Sequence, residues 1–358
     1  YTEIFLKDME KLNIDKPEII TKATENISQM IEYVKEIIKN GYAYETSKGI
    51  YFDISKLDKY PVLSNRKLDD QIAGARVDVD PEKKNPYDFA LWIKAPENHI
   101  MKWESPWGLG YPGWHIECSG ISIKYLGEHL DIHGGGVDNI FPHHTNEIAQ
   151  SESFLGHKWC NYWFHNEHLN DESGKMSKSH GAILTVSVLK EKGYNPLSFR
   201  YMCLLSHYRR QLTFSFDSLD GAENAYKKLR SKTSSLKYDE SVNEEVFNEW
   251  KNKFVSCLED DLNTANAVTV LHDLLKSDVD EGTKYKLVSD FDQVLSLDLL
   301  KKEVKSIDNE AFILEKINER SEAKKNKDFE KADKIREELL SMGIVLKDTR
   351  EGTTYEAI

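Results

Sequence analysis

One short segment, residues 113–150, concentrates metal-binding side chains and constrains this chain more than any other stretch. It reads GWHIECSGISIKYLGEHLDIHGGGVDNIFPHHTNEIAQ, with one cysteine, five histidines and a glycine triplet. The thiolate of Cys118 is a soft ligand that suits zinc together with imidazole and carboxylate. Pro142 is suited to the first position of a helix, which would place His143 and Glu147 four residues apart on one face. We therefore predict three zinc ligands and one open position.

A glycine turn lies between these ligands. The apolar stretch around Ile132 runs into residues 134–136, all glycine, and Asp138 follows. Glycines let a phosphate or a ribose approach the backbone, and a nearby carboxylate accepts hydrogen bonds from hydroxyls. We expect Gly136 and Asp138 to contact a ribose. A lone cysteine is more often a small buried residue and a glycine triplet more often a turn, but their crowding into one segment favours function.

A second motif, Lys175-Met176-Ser177-Lys178-Ser179, follows about thirty residues later. Two lysines and two hydroxyls in a glycine-flanked loop can surround a triphosphate. Lysine acts there as a point charge on oxygens that gain negative charge in the transition state. We predict Lys178, and with it Lys175, as phosphate-stabilising catalytic residues.

These motifs carry a family resemblance. KMSKS is the second signature of class I aminoacyl-tRNA synthetases, and GWHIECS, DIHGGGVDNIFPHHTNEIAQ and GIVLKDTREGTTY together resemble cysteinyl-tRNA synthetases over nearly the whole chain. The resemblance implies the α/β Rossmann-like class I catalytic domain, here its second half with a connective-peptide insertion, then an all-α helical bundle and a small mixed C-terminal domain. It implies a ligase that activates L-cysteine with ATP and Mg²⁺ to cysteinyl-adenylate and transfers it to tRNA(Cys).

The resemblance also assigns roles within the site. One Zn²⁺ per chain would be held by Cys118, His143 and Glu147 together with a further cysteine of the family. Trp114 would close over the substrate side chain. His115, His133 and His144 would contact the substrate or support the metal ligands, although satisfying buried hydrogen bonds near a metal is an equally ordinary role.

One departure from the family is large. Its members begin with half of a Rossmann-like domain that carries a His-Ile-Gly-His motif and a zinc-binding cysteine. The cysteines of this chain are Cys118, Cys160, Cys203 and Cys257, and the chain opens at Tyr1 in an amphipathic pattern. We expect the sequence to be a fragment that cannot complete its active site alone.

Composition limits the remaining function classes. The chain has 358 residues, 39% apolar and 30% charged, and a net charge of −13, which argues against indiscriminate nucleic-acid binding. Residues 175–212 nevertheless hold seven lysines and arginines against one glutamate, which would suit a selective RNA contact. Four cysteines without a CxxC motif are typical of a reducing cytoplasm. We predict a cytoplasmic monomer that has no membrane partner.

Local patterns predict a helix from Glu18 to Asn40, a short hairpin at residues 42–52 and a terminal hairpin within residues 344–355. They also predict a packing role for Cys160 and a break near residue 327 in the charged helical pattern of residues 313–342.

Together with the family resemblance, these patterns imply six parts. They are the tail of the first Rossmann half (1–18), the connective-peptide insertion (19–105), the second Rossmann half with the zinc and ribose sites (106–165), the KMSKS and stem-contact region (166–215), a helical bundle that binds tRNA (216–310) and a C-terminal anticodon-binding domain (311–358).

Two alternatives stay open at this stage. A related ligase of mycothiol biosynthesis joins cysteine to glucosaminyl-inositol with similar zinc and KMSKS chemistry, although it needs neither the all-α region nor the terminal DTREGTTY segment. A non-catalytic module that binds zinc or RNA is the other. Pyrophosphate exchange separates an enzyme from such a module.

Overall fold

The computed structural model describes residues 1–63, 80–171, 174–175, 184–301, 310–326, 328–341, 344–349 and 352–357. The chain forms two compact units: Tyr1–Pro196 with Leu205–Leu219, and Leu197–Leu204 with Asp220–Ile358. In the described ranges no helix is both long enough and apolar enough to span a bilayer. The division into six parts remains a prediction.

The first unit contains a four-stranded antiparallel sheet packed against a helix. Its strands follow chain order: β1 (Ala43–Thr46), β2 (Gly49–Phe52), β3 (Phe89–Lys94) and β4 (Gly110–Pro112). Helix α2 (Ile27–Lys39) buries Met30, Val34 and Ile37, which recur at helical spacing, against Phe52 and Trp92 of the sheet. The predicted hairpin at residues 42–52 is confirmed. The fourth strand, β4, lies beyond residue 105, where the connective-peptide insertion was expected to end.

A β–α–β unit carries the candidate site. Strand β5 (Leu130–Gly136) pairs in parallel with β6 (Cys160–Asn166), and α4 (Thr145–Leu155) connects them; α3 (Trp114–Leu126) precedes β5. Parallel strands need such a crossover helix. Leu130, Trp159 and Cys160 form a small core at the start of the pair. Cys160 is therefore a packing residue, as predicted.

The rest of the first unit is built from short elements. The N-terminal pattern forms helix α1 (Thr2–Lys11), which contacts α5 (Val186–Glu191). Strand β7 (Leu169–Asp171) pairs antiparallel with β8 (Gly174–Lys175) and in parallel with β9 (Leu212–Thr213).

The second unit is helical up to its C-terminal hairpin. Its helices are α6 (Pro196–Leu204), α7 (Phe216–Thr233), α8 (Glu244–Glu259), α9 (Thr264–Lys276), α10 (Glu281–Leu295), α11 (Glu310–Lys325) and α12 (Phe329–Ser341). The first residue of α6 and the first four of α7 belong to the first unit. Strands β10 (Ile344–Thr349) and β11 (Gly352–Ala357) form the predicted antiparallel hairpin. The long charged pattern predicted to break near residue 327 does divide into α11 and α12.

Candidate active site

Helix α3 presents three of the predicted site residues within its first two turns. Gly113 is the N-cap, Trp114 is the first helical residue, and His115 and Cys118 follow. His115 is buried, Cys118 is partly buried, and Trp114 is 61% exposed. Ile116 lies in the core formed by α2 and the antiparallel sheet, which fixes the rotation of α3 about its axis. This packing directs the first turn of α3 toward α4.

The start of α4 differs in detail from the sequence prediction. Residues 140–144 form one wide helical turn, and the regular α-helix begins at Thr145, so Pro142 lies inside the wide turn rather than at the first helical position. Phe141 has extended backbone angles within that turn. The consequence drawn from Pro142 still holds, because His143 Nε2 lies 2.9 Å from Glu147 Oε1.

The structure brings Cys118, His143 and Glu147 together. Cys118 Sγ lies 3.5 Å from His143 Nε2, and one ligand atom from each of the three residues lies within 4.8 Å of the others. Zinc bonded at ~2.3 Å to sulfur and ~2.0 Å to nitrogen in a tetrahedron would separate those two atoms by ~3.5 Å. For both to bind the same ion, the distance between His143 Nε2 and Glu147 Oε1, now 2.9 Å, would have to increase by a few tenths of an ångström.

Glu147 is the most constrained member of the group. It is fully buried, and among the described residues neither oxygen has a partner with good hydrogen-bond geometry, although His143 and His133 nitrogens lie at 2.9 and 3.2 Å. A buried carboxylate without a well-formed hydrogen bond is costly unless a cation compensates it. Burial raises the pKa of Glu147, but the two imidazoles outweigh it and lower that pKa to about 2.

Burial dominates the protonation of the neighbouring groups. It raises the pKa of the Cys118 thiol to about 12, with further contributions from Glu147 and Glu117. It lowers the pKa of His115 to about 3, assisted by His143, and that of His144 to about 4. At neutral pH the site therefore holds a neutral thiol, neutral His115 and His144, and one carboxylate.

A second group of possible ligands shares the same carboxylate. His133, His144 and Glu147 also place one ligand atom each within 4.8 Å of the others. His144 Nδ1 is 2.8 Å from His165 Nε2 on β6, a residue that the sequence patterns did not single out. The parallel register pairs His165 with Gly135, so only the strand pairing could have revealed it.

The predicted substrate-binding residues lie at the same site. The Trp114 ring stacks on His143 with ring centroids 4.3 Å apart, and His115 Nδ1 is 2.8 Å from His143 Nδ1. Trp114 is thus a largely exposed aromatic surface beside the candidate metal position. His133 Nε2 lies near Oε2 of Glu147, whereas His143 Nε2 lies near Oε1.

Two of the three glycines at the end of β5, Gly135 and Gly136, are closely packed, whereas a Cβ on Gly134 would lie no closer than 3.8 Å to any neighbour. A Cβ on Gly135 would lie 2.7 Å from His144 Cε1, and one on Gly136 would lie 2.6 Å from Asp138 Oδ1. Asp138 sits in a short 3₁₀ turn directly after the strand. The turn holds the Asp138 carboxylate beside Gly136. The sequence predicts that these two residues contact a ribose.

The structure describes only the first residue of the KMSKS motif. Lys175 ends strand β8, and Lys178 lies outside the described residues. Their predicted contact with phosphates therefore stays a prediction.

Known proteins resemble this chain along its whole length. Residues 1–224 match the model of the class I (C) tRNA synthetase catalytic domain, and residues 253–277 match the DALR domain. Proteins named cysteine–tRNA ligase are 40% identical in Treponema denticola, over 100% of this chain and 79% of that protein, and 43% identical in Finegoldia magna, over 99% and 80%. The one from Clostridioides difficile is 40% identical over 100% and 81%.

Proposed function

Since the chain belongs to the cysteine–tRNA ligase family of class I synthetases, we propose that it selects cysteine through a zinc ion bound by Cys118, His143 and Glu147. The chain is an aminoacyl-tRNA ligase, and its reaction is the ATP-dependent ligation of cysteine to tRNA. The observation that carries the zinc proposal is the approach of a thiol, an imidazole and a buried carboxylate to within 4.8 Å of one another.

Two features favour this group over the one that contains His144. Of the two groups found in the described residues, only this one contains a soft ligand, and zinc favours thiolate ligands. Trp114 also stacks on His143, so this group lies beside the exposed aromatic ring expected to cover the substrate. The Cys118 group supplies three ligands, and the further cysteine that the family resemblance implies would be the fourth. The substrate thiol would then be a fifth ligand, an expansion that zinc sites allow.

Selection between cysteine and serine is the chemical problem of this site. The two substrates differ by one atom, and packing alone separates such pairs by only ~1–3 kcal/mol. A bound zinc ion prefers sulfur over a hydroxyl and lowers the pKa of a coordinated thiol. Trp114, stacked on His143, would cover the substrate side chain and exclude water from it.

The chain's other residues would act mainly by orientation and charge. The substrate carboxylate attacks the α-phosphate of MgATP, which forms cysteinyl-adenylate and releases pyrophosphate, and the terminal ribose of tRNA then accepts the aminoacyl group. Such chemistry depends on positioning and on charge stabilisation. We assign Gly136 and Asp138 to the adenosine ribose and Lys178 with Lys175 to the phosphates. His115 and His133 would hold the substrate end of the site.

The metal assignment is tested by comparing single variants of the natural full-length protein. Cys118→Ser should lose both zinc, measured by elemental analysis, and cysteine-dependent pyrophosphate exchange. Cys160→Ser is the matched control, because Cys160 is buried in a separate small core. His144→Gln should keep its zinc. If His144→Gln loses the ion and Cys118→Ser keeps it, the ion belongs to the other group and the assignment is wrong.

The two alternative functions receive no support. The curated relatives are cysteine–tRNA ligases, and the DALR match lies in a helical region that an amino-sugar ligase does not require. tRNA(Cys), cysteine and ATP are therefore the expected partners. We further infer a cytoplasmic protein, because the four cysteines are free and translation takes place there, and we expect it to be a monomer. Light scattering after size exclusion tests the monomeric state.

A further inference from the structure

We propose that Gln150 is a positioning residue that sets the distance between the Cys118 thiol and the Glu147 carboxylate. This inference rests on the proposed zinc site. Gln150 lies on α4, one turn beyond Glu147, and is fully buried. Its amide nitrogen donates to the backbone oxygen of His115 at 2.5 Å and to Ser119 Oγ at 2.7 Å.

These two acceptors flank the thiol. His115 and Ser119 lie three residues before and one residue after Cys118, on the turn of α3 that carries the thiol. Ser119 Oγ is also 3.4 Å from the His115 oxygen, so both acceptors form one patch on α3. The Gln150 amide therefore joins the ligand-bearing turn of α3 to the ligand-bearing turn of α4.

The chemistry of the position requires an amide. A primary amide has two N–H donors, and both are used here, one to each acceptor. Glutamate would place a carboxylate against a carbonyl oxygen, and methionine would fill the space without donating. In the described residues Gln150 Oε1 has no hydrogen-bond partner, so the side chain is held through its donors.

Small changes in helix spacing matter because the ligand geometry is narrow. Zinc–ligand distances vary by only about 0.2 Å in well-formed sites, and the Cys118 Sγ to His143 Nε2 distance is 3.5 Å. A shift of α3 relative to α4 would move the thiol away from His143 and Glu147 together. Residues that orient metal ligands typically change metal affinity by ~10–100-fold when replaced.

The experiment measures zinc loss from the purified protein to an excess of the chelating dye 4-(2-pyridylazo)resorcinol. Gln150→Met should release zinc about tenfold to a hundredfold faster than the wild type. In pyrophosphate exchange its KM for cysteine should rise while its KM for ATP stays unchanged. Gln150→Glu should behave in the same direction, because it also lacks the two donors.

Ser151→Ala is the matched control. Ser151 is the next residue on α4 and is equally buried, but its hydroxyl pairs with Tyr33 on α2, at 3.1 Å. Tyr33 also interacts with Ser119, so the control changes the same neighbourhood while keeping both Gln150 hydrogen bonds. It should lower the melting temperature without changing the rate of zinc loss. Equal acceleration in Ser151→Ala and Gln150→Met would overturn the inference, because general packing of α4 would then explain both.

The remaining outcomes separate this inference from the zinc proposal. If the wild type holds no zinc, or Cys118→Ser holds as much, both fail. If the wild type holds zinc and folded Gln150→Met matches it in zinc loss and cysteine KM, only the role of Gln150 fails. Should Gln150→Met not fold, Ser119→Ala decides: it removes one acceptor and should speed zinc loss about threefold, and an unchanged rate refutes the inference.

Discussion

The pH dependence of zinc affinity gives a sharp test of the proposed metal site. Burial holds the pKa of the Cys118 thiol at about 12 in the metal-free site, whereas Glu147, with a pKa of about 2, is already ionised. Zinc binds thiolate, so binding must displace one proton, and it is the proton of Cys118. The raised pKa means that this proton stays in place throughout the neutral and mildly alkaline range.

The expected magnitude follows directly. Below the thiol pKa, each pH unit raises the thiolate fraction tenfold, so the zinc association constant should also rise tenfold. Between pH 7 and pH 9 the increase is about hundredfold, or about 2.7 kcal/mol. An ordinary thiol, with a pKa of ~8.5, would instead flatten this dependence above that pH.

The assay is a competition titration against a chelator of known pH dependence, at half-unit steps from pH 7 to pH 9.5. The wild type and Cys160→Ser should give the same straight line with a slope near one. Cys118→Ser should bind weakly with a slope near zero, because a hydroxyl does not ionise in this range. A flat wild-type line, or an equally steep line for Cys118→Ser, would show that the thiol is not the ligand that loses the proton.

Three further changes have expected outcomes. Lys178→Ala should lower the rate of adenylate formation by ~10²–10³-fold in stopped-flow pyrophosphate release, while the Kd for cysteine stays the same; a parallel loss of both would indicate misfolding. Trp114→Ala removes the ring stacked on His143 and should raise the KM for cysteine about threefold to tenfold in pyrophosphate exchange without changing the KM for ATP. Asp348→Asn removes a half-exposed carboxylate paired with buried Arg320 and should lower the free energy of unfolding by about 1–2 kcal/mol at pH 7. The pairing with Arg320 lowers the pKa of Asp348 in the folded protein. The stabilisation by this ion pair is therefore complete above the carboxyl pKa of the unfolded chain and is lost progressively as the pH falls below that value. The difference in unfolding free energy between wild type and Asp348→Asn, measured in urea, should shrink from pH 7 to pH 3.

Local residue patterns were enough to predict much of the molecule. The spacing in α2 and the hairpin residues around Gly49 predicted those elements correctly, because a buried helix face and a tight turn are encoded by neighbours in the chain. The grouping of Cys118, His143 and Glu147 was also predictable, since the ligand types are rare and two of them are one helical turn apart.

Other features depended on contacts between distant segments. The wide turn around Pro142 displaced the start of α4 from its predicted position, and the parallel pairing of β5 with β6 brought His165 beside His144. No local pattern marks either feature, because strand register is decided by the packing of whole elements.

The sequence alone determined the chemistry available to this protein: a thiol, imidazoles, a carboxylate and a lysine motif in a family of cysteine–tRNA ligases. Only the tertiary structure decided which groups meet and in what charge state. Packing of α3 against α4 shields Glu147 and Cys118 from water, and this burial raises the thiol pKa. The fold also brings His133 and His143 against Glu147, and these two imidazoles lower its pKa despite the burial.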